Sequence, residues 1–263
     1  MNKKLVYSFY LNKGGISNDI NKFHMKCLQH YSYIFDEMSF TIIRDKDLPT
    51  EELLQMKYFL VSLSPTVPIN IKVIENSNLR ESVVFKSDVV DRFGEDELVW
   101  FGHNKGISNE SICSKDVIIK WIAALYFYTL NFMDEVEDYL NNCRFLSYGA
   151  LHTHSEISKE FIKHGWFYSG TFMWINSKSM YQYIRNNNIE LPAFGDRFYD
   201  EGFLGNCFTS WPSGHASSHG MMYITLSDDR WYDEFNNYLD LMYPDHSDLD
   251  EFVNQRKLEI NGL

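Results

Sequence analysis

The chain has 263 residues, of which 44% are hydrophobic and 16% aromatic, with 6 prolines and 14 glycines. That is enough apolar material for one substantial core, and it excludes a disordered or collagen-like chain. The formal net charge is −12 and no basic block stands out, which argues against a nucleic-acid partner or an anionic membrane.

Strand and helix signals alternate from the start. Leu5 to Tyr10 reads as a core strand, followed by a Lys13-Gly14-Gly15 loop. The apolar part of Met1 to Tyr10 is short, is interrupted by Ser8 and lacks a small-residue cleavage site, so a strand is expected rather than a leader. Ser17 is placed to cap a helix carrying Ile20, Phe23, Cys27, Leu28, Tyr31, Ile34, Phe35 and Met38 at three-to-four spacing. Phe40 to Ile43 is a short strand, and Thr50 is placed to cap a second helix rich in leucine. Ile69, Ile71 and Val73 alternate with polar residues as a strand does. A turn at Asn76 to Asn78 and a helix around Arg80 to Phe93 follow.

The apolar run from Leu98 ends abruptly at His103-Asn104-Lys105-Gly106, and Lys115 to Met133 then predicts a buried helix. Lys120 and Asn131 interrupt that helix, and it is too short to span a bilayer. Phe145 to Leu151 is a further strand, Trp166 to Asn176 a partly extended aromatic segment, and Ser177 the start of a short helix. Asp196 to Phe208 is expected to be helical, Trp211 to Gly220 a mobile loop closing over a ligand, and Met222 to Leu226 a late strand. From Asp229 the pattern is helical, with Ser247-x-x-Asp250 as a cap. This βαβα order predicts an α/β fold, a mainly parallel sheet covered on both faces. Residues 1–228 form the domain, and 229–263 a helical extension packed on it.

Cys27, Cys113, Cys143 and Cys207 show neither a zinc spacing nor a need for disulfides at this size, so reduced thiols in a cytoplasmic protein are expected.

Four segments hold groups suited to chemistry. A strand that delivers His103, Asn104, Lys105 and Gly106 to its carboxyl end creates a phosphate or diphosphate site, with Lys105 as the charge and Gly106 allowing close backbone approach. The bland alternative is an exposed loop with an ordinary surface lysine. In Trp166-Phe-Tyr-Ser-Gly-Thr-Phe-Met-Trp174, aromatic rings have faces for a sugar, while Ser169 and Gly170 leave room beside the backbone; a core strand explains most of the same residues. Asp196, Asp200 and Glu201 sit at or near a helix start, where a carboxylate in a cleft can deprotonate a hydroxyl, or simply complement the helix dipole. His215 and His219 are candidates to bind metal or substrate. His152 and His154 are a weaker ligand pair.

Taken in order, these pieces resemble nucleotide-sugar-dependent glycosyltransferases of the GT-A fold, a Rossmann-related architecture. The likeness is to polysaccharide-type transferases that carry a strand followed by His-Thr-Lys-Gly, here Phe101-Gly-His-Asn-Lys-Gly-Ile107. A Trp-containing helix follows, matched by Trp121. Then comes a Tyr-Ser-Gly-Asn-Phe-Trp-Trp-like segment, matched by Tyr168-Ser-Gly-Thr-Phe-Met-Trp174, and an acidic stretch matched by Tyr199-Asp-Glu201. The likeness covers roughly residues 5 to 225. It differs at Thr171, where the pattern has Asn, and at Met173, where it has Trp.

The resemblance implies transfer from a nucleotide-diphosphate sugar, with uridine diphosphate sugars first, to a glycan hydroxyl. Tyr10, Arg80, His103, Asn104, Lys105, Gly106, Ser169 and Gly170 would bind the donor, with Glu81 beside Arg80 at the ribose or diphosphate. Trp166, Tyr168, Trp174, His215 and His219 would meet the acceptor or close over the diphosphate. Glu201, and after it Asp200, would be the general base of an inverting reaction; a retaining one needs none. The wider fold group holds a divalent ion on an Asp-x-Asp motif where this chain has His103-Asn-Lys105. Lys105 is therefore expected to assist the leaving group, with no metal ligand assigned and no cofactor required; a manganese or magnesium ion is the alternative. A catalytically silent glycan-binding or scaffold protein is the rival from another class. A nucleotidyltransferase is a further one, although the Lys13-Gly14-Gly15 loop is slight for it.

Overall fold

The computed structural model of the chain describes residues 1–11, 15–104, 114–142, 145–154, 162–168, 170–195, 199–208, 213–217 and 232–244. The first half runs β1 (Asn2–Leu11), α1 (Asp19–Tyr31), β2 (Glu37–Arg44), α2 (Thr50–Ser62), β3 (Ile69–Glu75), α3 (Glu81–Asp88) and β4 (Glu97–His103). The second half runs α4 (Lys115–Leu130), α5 (Met133–Asn141), β5 (Ser147–His154), β6 (Trp166–Tyr168), β7 (Met173–Asn176), α6 (Ser177–Asn186), α7 (Tyr199–Cys207), β8 (Ser213–Ser217) and α8 (Tyr232–Met242).

The strands form one sheet in the order β3-β2-β1-β4-β7-β5-β6, with β8 beside β5. Pairing from β3 through β4 is parallel. Beyond β4 the sheet changes character: β7 is antiparallel to both β4 and β5, and β6 is antiparallel to β5. The expected α/β fold with a parallel sheet is thus present, and its parallel core is the half nearer the amino terminus. Two aromatic-rich strands inserted after β4 account for the antiparallel half.

Alternation along the strands builds two cores, one on each face. Leu5, Tyr7, Phe9 and Leu11 of β1 join Trp100 of β4 and Trp174 of β7 on the first face, with α1, α4 and α8 packed over them. Val6, Val99, Phe101, Met173 and Ile175 point to the second face, beneath α3, α6 and α7. Every residue of β4 is buried, as a strand covered on both sides requires. α4 is buried along almost its whole length, and each large apolar side chain removed from water there contributes about 1.5–3 kcal/mol. α8 docks Phe235 and Leu239 into the first core, and its Leu241 and Met242 carbonyls accept from the Lys26 ammonium at 3.2 and 2.8 Å.

Several boundaries differ from the sequence expectation. Asn18, not Ser17, caps α1: its Oδ1 accepts from the Ile20 and Asn21 amides at 2.8 and 3.3 Å. α1 ends at Tyr31, and Met38 belongs to β2, because a run of apolar residues fits either periodicity. Thr50 is the first residue of α2 rather than its cap, a position held by Pro49 with no side-chain hydrogen bond. The helix expected through Phe93 stops at Asp88, and one 3₁₀ turn, Val90–Arg92, follows. The aromatic segment is two short strands, broken where Gly170 and Thr171 have φ of 89° and 61°.

The segment expected to be a mobile loop contains β8, which pairs in parallel with β5 and sets His215 opposite Gly149. The late strand at 222–226 and the cap at 247–250 lie outside the described residues.

Candidate functional site

β1 leads on to β2 and β3 on one side, and the chain then returns to β4 on the other side of β1. The order reverses between β1 and β4, and in open α/β sheets ligands bind in the crevice at the carboxyl ends of such a pair. Tyr10, His103 and Asn104 come to that edge, with Asp45 after β2, Asn76 after β3 and Arg80 at the start of α3.

Asn104 holds the crevice together. Its Oδ1 accepts from the Tyr10 amide at 2.7 Å, and its Nδ2 donates to the Tyr10 carbonyl and to Asn21 Oδ1, both at 2.7 Å. Asn21 in turn donates to the Gly15 carbonyl at 2.7 Å. Expected as a donor ligand, this side chain is instead tied to β1 and α1, and it fixes the spacing of the two strand ends.

On one side of Asn104 lies a polar shelf. Tyr10 donates its hydroxyl to Asp45 at 2.9 Å, and Asn76 donates to the other oxygen of Asp45 at 2.8 Å. The Arg80 guanidinium sits 5.5 Å from the centre of the Tyr10 ring, a cation–π distance. Partial burial raises the Tyr10 phenol above its ordinary value, Asp45 raises it further, and Arg80 opposes both. Two donor-binding expectations, Tyr10 and Arg80, are thus in contact.

On the second face lies a convergence that neither spacing nor motif displays. His103 from β4, Glu81 from α3 and Asp200 from α7 bring one ligand-capable atom each within 4.8 Å of one another. His103 Nδ1 is 3.7 Å from a Glu81 carboxylate oxygen. Ser82 donates its hydroxyl to Asp200 Oδ1 at 2.6 Å, so α3 and α7 meet through their first turns. His103 is 6% exposed and Asp200 1%.

One further hydroxyl lies at the same level of the sheet. Ser8 pairs with His103 in the parallel register, and both follow Val6 and Phe101 onto the second face. Ser8 is 1% exposed, and among the described residues its hydroxyl has no hydrogen-bond partner.

The aromatic candidates turn out to be core. Trp174 is fully buried against Phe35, and its indole N–H donates to the Thr129 carbonyl at 2.7 Å. Trp166 is fully buried, donates to the Phe208 carbonyl at 2.7 Å and stacks on His152. Tyr168 is buried next to the Ser147 hydroxyl, 3.3 Å away. These rings are enclosed, so stacking on a sugar would require each to leave its core. Gly170 lies against Leu125 of α4.

Asp200 and Glu201 both lie in the first turn of α7, and only Asp200 joins the cluster. Lys105, Gly106, Ser169 and His219 lie outside the described residues, as do Asp196 of the acidic segment and the side chains of His154 and His215.

Ser8, Ser82, Asp45 and Asn76 escaped the sequence reading as site residues. Ser8 left one signal, a polar residue inside an otherwise apolar strand; the others look like ordinary cap and turn residues. No family model matches the chain, and no curated protein matches it. Among the described residues, no helix is long and apolar enough to cross a membrane.

Proposed function

We propose that the protein is a glycosyltransferase that moves a sugar from a nucleotide-diphosphate sugar, a uridine diphosphate sugar in the first place, to a glycan hydroxyl in the cytoplasm. The observation that carries this reading is the convergence of His103, Glu81 and Asp200 at the topological switch point, beside the Tyr10–Asp45–Arg80 shelf. In this reading the planar base of the nucleotide lies against the shelf and the diphosphate toward the end of β4.

The chemistry asks for two things: positive charge on the departing diphosphate, and a base for the incoming hydroxyl. Lys105, two residues beyond His103, supplies the first. In an inverting reaction, Glu201 removes the acceptor proton as the acceptor oxygen bonds to the anomeric carbon and the carbon–oxygen bond to the diphosphate breaks. Asp200 is drawn into the cluster with His103 and Glu81, which favours Glu201 over Asp200 for the base.

The backbone at Thr171 supports the resemblance. Its φ of 61° lies in the left-handed region, which asparagine tolerates far better than a β-branched residue. The matching position of the resembling transferases carries asparagine, so the turn geometry suits the pattern even though this chain departs from it.

The test is release of nucleoside diphosphate from a panel of nucleotide sugars, with and without glycan acceptors. Slow hydrolysis of one donor, accelerated by an acceptor and abolished by Lys105→Ala in a folded protein, is the expected result. No release from any donor, or undiminished release by Lys105→Ala, would remove the assignment.

A further inference from the structure

We infer that Glu81, His103 and Asp200 form a binding site for one divalent first-row transition-metal ion, manganese or zinc rather than magnesium or calcium. The inference stands on the geometry of the three side chains and holds whether or not the protein transfers sugars.

The donor set is the first argument. One imidazole and two carboxylates come from three separate elements, β4, α3 and α7, and their ligand atoms lie within 4.8 Å of one another. Around an ion with bonds of about 2.0–2.2 Å, neighbouring ligand atoms stand roughly 3–3.5 Å apart. Side-chain rotations that draw the three atoms about 1 Å inward therefore suffice, and Glu81, the most exposed of the three, is free to make the largest one. Three protein ligands leave positions open for water or a ligand oxygen, the arrangement of catalytic rather than structural sites.

The second argument is independent of the carboxylates. His103 is paired in the sheet with Ser8, which is buried on the same face and whose hydroxyl has no hydrogen-bond partner among the described residues. A buried hydroxyl without a partner costs about 1–3 kcal/mol. One of them beside the imidazole marks a place where a polar guest, such as an ion with its bound water, supplies what the described residues do not.

The third argument is orientation. Ser82 holds Asp200 through a 2.6 Å hydrogen bond, the kind of outer contact that fixes a ligating carboxylate's rotation. The choice of metal follows from ligand type. Magnesium and calcium take oxygen ligands almost exclusively, whereas imidazole suits zinc and its neighbours, and carboxylate suits manganese. In the sugar-transfer reading the ion would share with Lys105 the charge of the leaving diphosphate; that role, unlike the site, depends on the reading.

The experiment uses the full chain, stripped with a chelator and titrated calorimetrically with manganese, zinc and magnesium chloride in turn, with no sugar nucleotide present. One equivalent of manganese or zinc should bind at least tenfold more tightly than magnesium. Glu81→Gln and Asp200→Asn should each weaken that binding at least tenfold, and Ser82→Ala about tenfold. Circular dichroism melts accompany each variant, and Glu81→Gln, the most exposed position, serves if Asp200→Asn fails to fold. No saturable binding by the folded wild-type chain, or unchanged binding in both ligand variants, would overturn the site. Binding without nucleotide release from any donor would defeat the transferase reading alone. Full turnover in excess chelator, with no saturable metal binding, would defeat the metal inference alone.

Discussion

The Ser82 hydroxyl donates to the Asp200 carboxylate at 2.6 Å and so joins two helices 118 residues apart in sequence. Both residues lie at helix starts. A bond between the first turns of α3 and α7 sets the position of a carboxylate without itself reaching the crevice. Under the sugar-transfer reading, with Asp200 on the inferred ion, Ser82→Ala should lower turnover about 10- to 100-fold with little change in donor KM; it should lower stability by about 1 kcal/mol in any case. Ser82→Thr should restore most of the rate, because it returns the hydroxyl. A stability loss with unchanged turnover would make the contact merely structural.

Thr171 has a φ of 61° and is fully buried. A β-branched residue in this region carries strain of about 1–3 kcal/mol. Thr171→Asn relieves most of it and should raise the stability of the protein by about 1 kcal/mol in urea unfolding. A destabilised Thr171→Asn protein would show that the threonine methyl packs better than the backbone is strained.

Burial pushes the thiols of Cys27 and Cys207 up from 9.0 to about 12. A thiol raised in the folded state stays protonated there while its unfolded counterpart ionises. The unfolded chain then binds fewer protons, and stability falls as pH rises from about 9 toward 12. The Tyr199 phenol, raised from 10.0 to about 12 by burial, adds to the same trend. Melting temperature should be lower at pH 10.5 than at pH 8. At pH 8, iodoacetamide should leave both cysteines unmodified in peptide maps of the native protein. Rapid alkylation of either one would contradict its enclosure.

The strands of the parallel half and the helices between them were legible from periodicity, because each buries one face and shows it in the spacing of apolar residues. The boundaries were less so: Ile34, Phe35 and Met38 continue the helical spacing of α1, and nothing in it says that the helix has already ended. The end of β4 was legible as a candidate site because an apolar run stops at His103-Asn104. What spacing could not convey is that Glu81 and Asp200 reach the same histidine, since only the packing of α3 and α7 over one face brings them there. Asn104, a polar residue at a strand end, ties β1 to α1 through contacts that spacing does not convey. Trp166 and Trp174 were ambiguous between stacking platform and core, and their satisfied indole N–H groups place them in the core.

The most direct test of the sugar-transfer reading is nucleoside diphosphate release from a panel of nucleotide sugars by the wild-type chain, His103→Ala and Asp200→Asn, each checked for folding by thermal melt. The account predicts release from at least one uridine diphosphate sugar by the wild type and at least a 100-fold lower rate in both variants. A folded wild-type protein that releases no diphosphate from any donor, or variants that match its rate, would contradict it.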